Sequence, residues 1–326
     1  MGRKINQITS NPFLYSRDHH RYHTWNYHLQ ETFGAKVFKV SLNAGFTCPN
    51  IDGRCGFGGC TFCSVKGSGD FAGNPADDLV KQFNEIKGNM LQKWPDVTQY
   101  IGYFQAFSNT YAPLPILREK FEAILALPQV VGLSIATRAD CLADDVIEYL
   151  AELNERTYLW VELGLQSMHD VTAKRINRGH DLATFEKNFR KLQKRGIRTC
   201  VHIINGLPGE SVEMMQQTAQ YVADIKADGI KIHLLHVLKN TYMANLLANN
   251  KLALMDKDTY CKLVANQLAI LPPECIVQRI TGDGAPDDLI GPLWSLKKFD
   301  VMNTIDKILF AEDSFQGKFY QSKELK

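Results

Sequence analysis

Residues 36–63 read KVFKVSLNAGFTCPNIDGRCGFGGCTFC. The first seven alternate around the β-branched Val37 and Val40, so 36–42 reads as a β-strand. A loop follows at once and holds four of the chain's eight cysteines: Cys48, Cys55, Cys60 and Cys63. Gly53, Gly56, Gly58 and Gly59 let its backbone fold tightly around something small. Thiolates gathered on a flexible loop point to a soft metal or an iron–sulfur cluster.

Outward from this stretch, strands and helices alternate. Residues 97–107, 130–137, 157–166, 198–206 and 229–238 read as strands. Helical periodicity covers 77–91, 116–127, 144–153, 182–194 and 211–227, with Ser211 as an N-cap and Gly196 as a stop. Regular alternation predicts a parallel sheet wrapped by helices. Runs such as VVGLSIA are nearly all apolar, as strands buried on both faces are. Two arrangements of six strands fit this pattern, a doubly wound open sheet and a partial barrel. Residues 1–35, with His19, His20, His23 and His28, read as an N-terminal segment that packs aromatics on the core. Residues 240–326 differ from the rest, with a helical pattern over 258–271, a Pro272–Pro273 break and a turn at 282–288.

The 326 residues suffice for a large core, and a 45% hydrophobic fraction is ordinary for a globular chain. A net charge of +2 announces no nucleic-acid binder, though it allows a local basic patch. MGRKINQITSNPFLYS has no apolar core of a signal peptide, and no run reaches the roughly 18 apolar residues of a membrane span. The cysteines are therefore expected to be reduced thiols or ligands, and the compartment the cytoplasm.

Cys60 and Cys63 form a C-x-x-C, with Cys48 twelve positions before Cys60. Four thiolates would satisfy a tetrahedral zinc. A cluster competes with zinc because the loop follows a strand, where ligands collect in α/β folds.

The motifs CPN…GGCTFC, YFQAFSNTYAP (103–113), SIATRAD (134–140), VELGLQS (161–167), INRGHD (176–181) and HIINGLPGE (202–210) stand in that order, at or just after the ends of the strands. In this order and placement the chain resembles the radical S-adenosylmethionine enzymes. The wide gap between first and second cysteines is similar to the branch containing the radical domain of the Elongator catalytic subunit and stand-alone bacterial proteins of about this length. The likeness covers about 22–239, and more weakly QRITGDG (278–284) and PLWSLKK (292–298). It implies a partial (β/α)6 barrel with parallel strands over 36–239 and a small helical C-terminal extension over 240–326. It also implies a [4Fe–4S] cluster held by Cys48, Cys60 and Cys63, with one iron open to S-adenosylmethionine. Cys55 falls where this branch needs no cysteine.

The same likeness places the other cofactor contacts. Phe62 would flank the adenine, and Gln105, Ser108 and Asn109 would hold the methionine amino group. Thr137 and Arg138 end the third strand, where a guanidinium suits a carboxylate. Glu162 and Gln166 share one face of the fourth strand. A carboxylate facing inward there needs a ribose hydroxyl or a cationic partner. Arg178 and His180 follow, and Gly206 lets backbone approach the adenine. Lys231 and His233 share a face of the sixth strand, His236 the opposite one, and both histidines read as structural.

For substrate, the likeness points to tRNA at the C5 side chain of a wobble uridine, with flavodoxin or ferredoxin as electron donor. The residues after 240 are too few for the acetyltransferase half of the Elongator subunit, so the expected reaction trims or rebuilds an existing C5 substituent. Two other readings compete: a radical enzyme on a small molecule, and a non-enzymatic zinc-stabilised binding protein. Basic and aromatic residues suited to RNA are Trp294, Lys297, Lys298, Lys307, Phe315, Lys318, Phe319, Tyr320 and Lys323, with Arg17, His20, Arg21, Tyr22 and Trp25.

Overall fold

The computed structural model describes residues 11–282 and 284–321; Lys323 lies outside them. Strands β1 (Val37–Leu42), β2 (Gln99–Phe104), β3 (Val130–Thr137), β4 (Tyr158–Gln166), β5 (Arg198–Asn205) and β6 (Gly229–Leu234) lie side by side in chain order, all parallel. The stretch 229–238 is not one strand. It breaks at Leu235, whose N–H is taken by the Asn205 carbonyl at 2.8 Å. The short β7 (Val237–Leu238) leaves the sheet, and β8 (Ile276–Arg279) joins it as a seventh parallel strand beside β6. β9 (Leu289–Gly291) pairs antiparallel with β7. The parallel half-barrel is as expected, and β8 is the addition. Four residues are too few for periodicity to register.

Helices fill the connections: α1 (Trp25–Phe33), α2 (Leu79–Lys93), α3 (Leu114–Leu125), α4 (Asp144–Arg156), α5 (Asp170–Arg175), α6 (Leu182–Lys194) and α7 (Val212–Asp224). Beyond β7 come α8 (Tyr242–Ala248), α9 (Lys257–Ile270) and α10 (Lys298–Ala311). Asp78, Asp181, Ser211 and Asp256 start α2, α6, α7 and α9, each accepting the N–H three residues on. Among the described residues no helix is long and apolar enough to cross a membrane.

The outer face of the sheet buries Phe104, Leu133, Leu163 and Val201 under helix residues such as Phe121, Tyr149 and Phe189. The sheet curls enough for its first and last strands to touch through side chains. Lys39 Nζ on β1 donates to Gln278 Oε1 on β8 at 2.7 Å. The amino ends of the strands are plugged by the N-terminal segment. Trp25 meets Trp160 edge to face with centroids 5.4 Å apart. His28 Nε2 lies 2.6 Å from the Tyr158 hydroxyl, and burial holds its pKa down to about 4. His23 stacks on Tyr15, and His20 meets Asp306 of α10 at 3.0 Å. These histidines are packing partners that fasten residues 11–35 to the core.

Gly132 on β3 has no room for a side chain, because an added Cβ would lie 2.1 Å from the Tyr158 carbonyl oxygen. Gly132→Ala should cost about 1–3 kcal/mol in urea melts. Gly88 in α2 has nothing within 4 Å, so Gly88→Ala should stabilise by roughly 0.5–1 kcal/mol.

Candidate functional site

The cysteine loop sits at the carboxyl ends of the strands and is built from its own backbone. Ile51 N–H bonds the Cys48 carbonyl at 2.9 Å, Cys55 N–H that of Pro49 at 2.8 Å, and Gly59 N–H that of Asn50 at 2.9 Å. Gly53, Gly58 and Gly59 have φ of 93°, 76° and 73°, which L side chains rarely adopt. The segment after α5 clamps the loop from outside. Thr61 N–H bonds the Ile176 carbonyl, and Asn177 Nδ2 donates to the carbonyls of Phe57 and Gly59 at 3.0 and 2.7 Å.

Cys48, Cys60 and Cys63 line one cavity of about 260 Å³. Asn50 Nδ2 donates to Cys60 Sγ at 3.3 Å, and Ser108 Oγ lies 3.1 Å from Cys48 Sγ. A hydrogen bond from Cys63, helped by Arg138 and Asn50, draws the Cys60 thiol down to about 7 against burial. Cys63 is pushed up in return, and burial raises Cys48. Of this pair, Cys60 is the more acidic thiol. Cys55 is exposed and outside the cavity wall, its sulfur 3.7 Å from Arg138 Nη2.

Most residues expected to contact the cofactor share that wall: Phe62, Gln105, Ser108, Thr137, Arg138, Glu162, Gln166, Arg178 and His180. Asn109 and Gly206 do not. Asn109 Nδ2 ties strand ends by bonding the carbonyls of Phe104, Ala106 and Ala136. Gly206 bonds the Met215 sulfur through its N–H. Gln105 spends its amide N–H on the Ser68 carbonyl at 2.9 Å. The two arginines differ. Arg138 forks onto Asp140 at 2.9 and 2.8 Å, so its guanidinium is already paired. Arg178 is buried and donates to the carbonyls of Leu165, Ser167 and His180, which leaves its Nη2 without a hydrogen-bond partner. His180 stays neutral, since burial takes its pKa to about 3.

The floor of the cavity is a polar layer that sequence reading did not assemble. Glu162 is wholly buried. Its Oε1 accepts from Lys39 Nζ at 2.6 Å and Ser134 Oγ at 2.5 Å. Its Oε2 accepts from Tyr103 at 2.9 Å, meets His202 Nε2 at 2.8 Å, and accepts from Lys231. The cationic partners expected for this carboxylate are therefore Lys39 and Lys231. Burial works against its charge, but both lysines hold the carboxyl well below its usual range. Burial and Lys231 push His202 down to about 4, so it is neutral. With Gln278 bound to Lys39, each of the seven strands contributes at least one inward polar group. Lys39, Tyr103, Ser134, His202, Gln278 and Arg279 were missed. The available signal was position: a polar residue stands third or fifth in each of the first six strands.

The basic and aromatic residues proposed for RNA do not form one patch. Arg21 and Tyr22 are buried, Arg21 against Asp313, and Trp25 belongs to the plug. Trp294 is half-buried and donates to the Met255 carbonyl. Lys297, Lys307, Lys318 and Phe319 are exposed.

A family model for the Radical SAM superfamily matches residues 50–222, and one for the Radical_SAM C-terminal domain matches residues 227–310. The chain is 59% identical over 317 residues to YtqA of Bacillus subtilis, covering 97% of this chain and 98% of that one. It is 28% identical over 173 residues to Elongator complex protein 3 of Saccharomyces cerevisiae, over 50% of this chain and 30% of that protein. Its fold is similar to that of archaeal Methanocaldococcus infernus Elp3 with an N-terminal deletion. There the TM-score is 0.65 at 17% identity, over 86% of this chain and 64% of the other.

Glu162→Gln should cost about 3–5 kcal/mol at pH 7, because it leaves two buried lysines uncompensated. The wild-type carboxyl's pKa is lowered on folding, so its contribution is complete above the unfolded value near 4.3 and fades as pH falls below it. Urea melts at pH 7 and pH 3 should therefore show the gap between wild type and variant shrinking in acid.

Proposed function

The chain belongs to the Radical SAM superfamily, and from that premise we propose that it is a tRNA-modifying enzyme acting on the C5 side chain of a wobble uridine. The observation that carries the radical chemistry is the wall of one cavity, where Cys48, Cys60 and Cys63 face buried Arg178. The family's cofactors are a [4Fe–4S] cluster and S-adenosylmethionine. The donor set fits them: three soft thiols on one cavity wall are one short of the four that close such a cluster, which leaves a place for a ligand from outside the chain. When bound, the pair supplies a 5′-deoxyadenosyl radical by one-electron cleavage of the sulfonium.

The chain's own residues then bind, orient and exclude water. Cys48, Cys60 and Cys63 hold the cluster, with Asn50 donating to the Cys60 sulfur. Arg178 is better placed than Arg138 for the methionine carboxylate, since its Nη2 makes no hydrogen bond and meets Asp170 only as an ion pair at 3.7 Å, while the Arg138 fork bonds Asp140 at 2.9 and 2.8 Å. Phe62, Thr137 and Gln166 line the space for the nucleoside, and Gln105 and Ser108 the methionine end. Leu234, Leu235 and Ile204 make part of the wall apolar.

Two observations support RNA as substrate: the sequence likeness to Elongator complex protein 3, and the exposed Lys297, Phe299, Lys307, Lys318 and Phe319. On this reading an existing C5 substituent is trimmed or rebuilt, in the cytoplasm, with flavodoxin or ferredoxin as electron donor.

Anaerobically purified protein should be brown, contain iron and sulfide, and bleach with dithionite; a colourless zinc protein would refute the radical reading. Cys48→Ala, Cys60→Ala and Cys63→Ala should each lose the colour and release no 5′-deoxyadenosine, while Cys55→Ala keeps both. Nucleoside analysis of tRNA from a deletion strain should show an altered wobble uridine, and an unchanged profile would move the substrate to a small molecule. Affinity for tRNA should fall about tenfold or more between 50 and 200 mM salt.

A further inference from the structure

Four side chains where the N-terminal segment meets α10 take no part in the chemistry described so far. Asp18, His19 and His20 each offer a donor atom, and the three atoms lie within 4.8 Å of one another. The backbone beneath them is held in place. Asn11 Nδ2 donates to the carbonyls of Asp18 and His20 at 3.0 and 2.8 Å. Asp18 Oδ1 accepts from the His20 N–H at 2.9 Å and from the Ser16 hydroxyl at 3.0 Å. Its other oxygen, Oδ2, then stands 3.9 Å from His20 Nε2. That is too far for a hydrogen bond. A shift of about half an ångström brings the two atoms to the spacing of neighbouring ligands on one tetrahedral ion.

Asp306 of α10 supports this group from behind. Its carboxylate is only 9% exposed and lies 3.0 and 3.1 Å from His20 Nδ1. An imidazole that gives its Nδ1 proton to a carboxylate presents Nε2 as a lone pair, and metal-ligating histidines are oriented in this way. His19 is 67% exposed, yet its ring centroid lies 4.3 Å from that of His20 and its Nε2 lies 3.5 Å from the same carboxylate. Two imidazoles and a carboxylate are donors that suit zinc, with water in the fourth position.

We infer that Asp18, His19 and His20 hold a zinc ion and that Asp306 orients His20 toward it. The site is separate from the radical chemistry, since none of the four residues lines the cavity of the cysteine loop. The ion fastens the start of the segment whose continuation plugs the barrel. From there Arg21 pairs with Asp313, the His23 N–H donates to Gln316 Oε1 at 2.8 Å, the His23 carbonyl accepts from the Val277 N–H of β8 at 2.8 Å, and Trp25 meets Trp160. An ion that binds only the folded chain stabilises it by mass action, so the melting temperature rises with zinc concentration.

The test uses the full chain, cluster-loaded, anaerobic and free of any polyhistidine tag, with Zn2+ as the probe. Equilibrium dialysis should find one zinc per chain. X-ray absorption at the zinc edge should show a nitrogen and oxygen shell at about 2.0–2.2 Å with imidazole scattering, and no sulfur at about 2.3 Å. His19→Gln and Asp306→Asn should each weaken zinc binding about tenfold or more. His19→Gln should melt as the wild type does without zinc and lose the zinc-dependent rise. A network of ion pairs alone predicts no zinc uptake. That result, equal affinity in the two variants, or zinc held through sulfur alone would each overturn the site. Uptake of zinc by the cysteine loop in place of a cluster would refute the radical reading, and the difference between wild type and His19→Gln would still decide this inference.

Discussion

A buried carboxylate governs this structure. Glu162 stands in the middle strand of a curled sheet, away from water, where a bare charge is not tolerated. The fold answers with two lysines and three further polar groups drawn from strands on both sides. Lys39 is the far-reaching member, since its ammonium joins Ser134 on β3, Glu162 on β4 and Gln278 on β8. Through it the first and last strands of an open sheet are held near each other, and the curl that makes a cavity is tied to the groups that floor it.

That layer divides the barrel interior into two environments. Below it, Trp25, Trp160, Cys200 and Ile276 form an apolar plug. Above it lie thiols, buried arginines and backbone carbonyls suited to a charged cofactor. The cysteine loop keeps its shape through its own backbone bonds, through Asn50 and Asn177, and through Phe62 packed against a small apolar cluster, while Cys48, Cys60 and Cys63 line the cavity. Asp140 takes the Arg138 fork at hydrogen-bond distance, while the Arg178 Nη2 meets Asp170 only at 3.7 Å. The same accounting of donors and acceptors separates Gln105, whose amide serves Ser68, from the residues with free contact surface.

Much of this was legible in the chain. Strand and helix alternation carries the parallel α/β class, because short apolar runs recur between helical patterns of amphipathic periodicity. The order of the glycine and cysteine motifs at strand ends carries the family resemblance, and with it the proposal that Cys48, Cys60 and Cys63 are the ligands. Asn109 shows where such reading stops. It stands beside Ser108 and Gln105, but its amide turns inward to three carbonyls and never meets the cavity. β8 shows another limit, as four residues hold too little pattern to be seen.

The sequence by itself determined which side chains are chemically able to act: four soft thiols near one another in the chain, and a charged residue in each of several apolar strands. Only the tertiary structure decided how those charges are shared. Lys39, Glu162, Lys231, Gln278 and Arg279 are far apart along the chain, and their meeting depends on the curl of the sheet and on the register of β6 with β8. Pairing between distant residues is set by three-dimensional distance and desolvation, and neither is written in local periodicity. The cysteine loop is short enough for its spacing to mark it as a soft-metal or cluster site, while the polar floor beneath it exists only once all seven strands are in place.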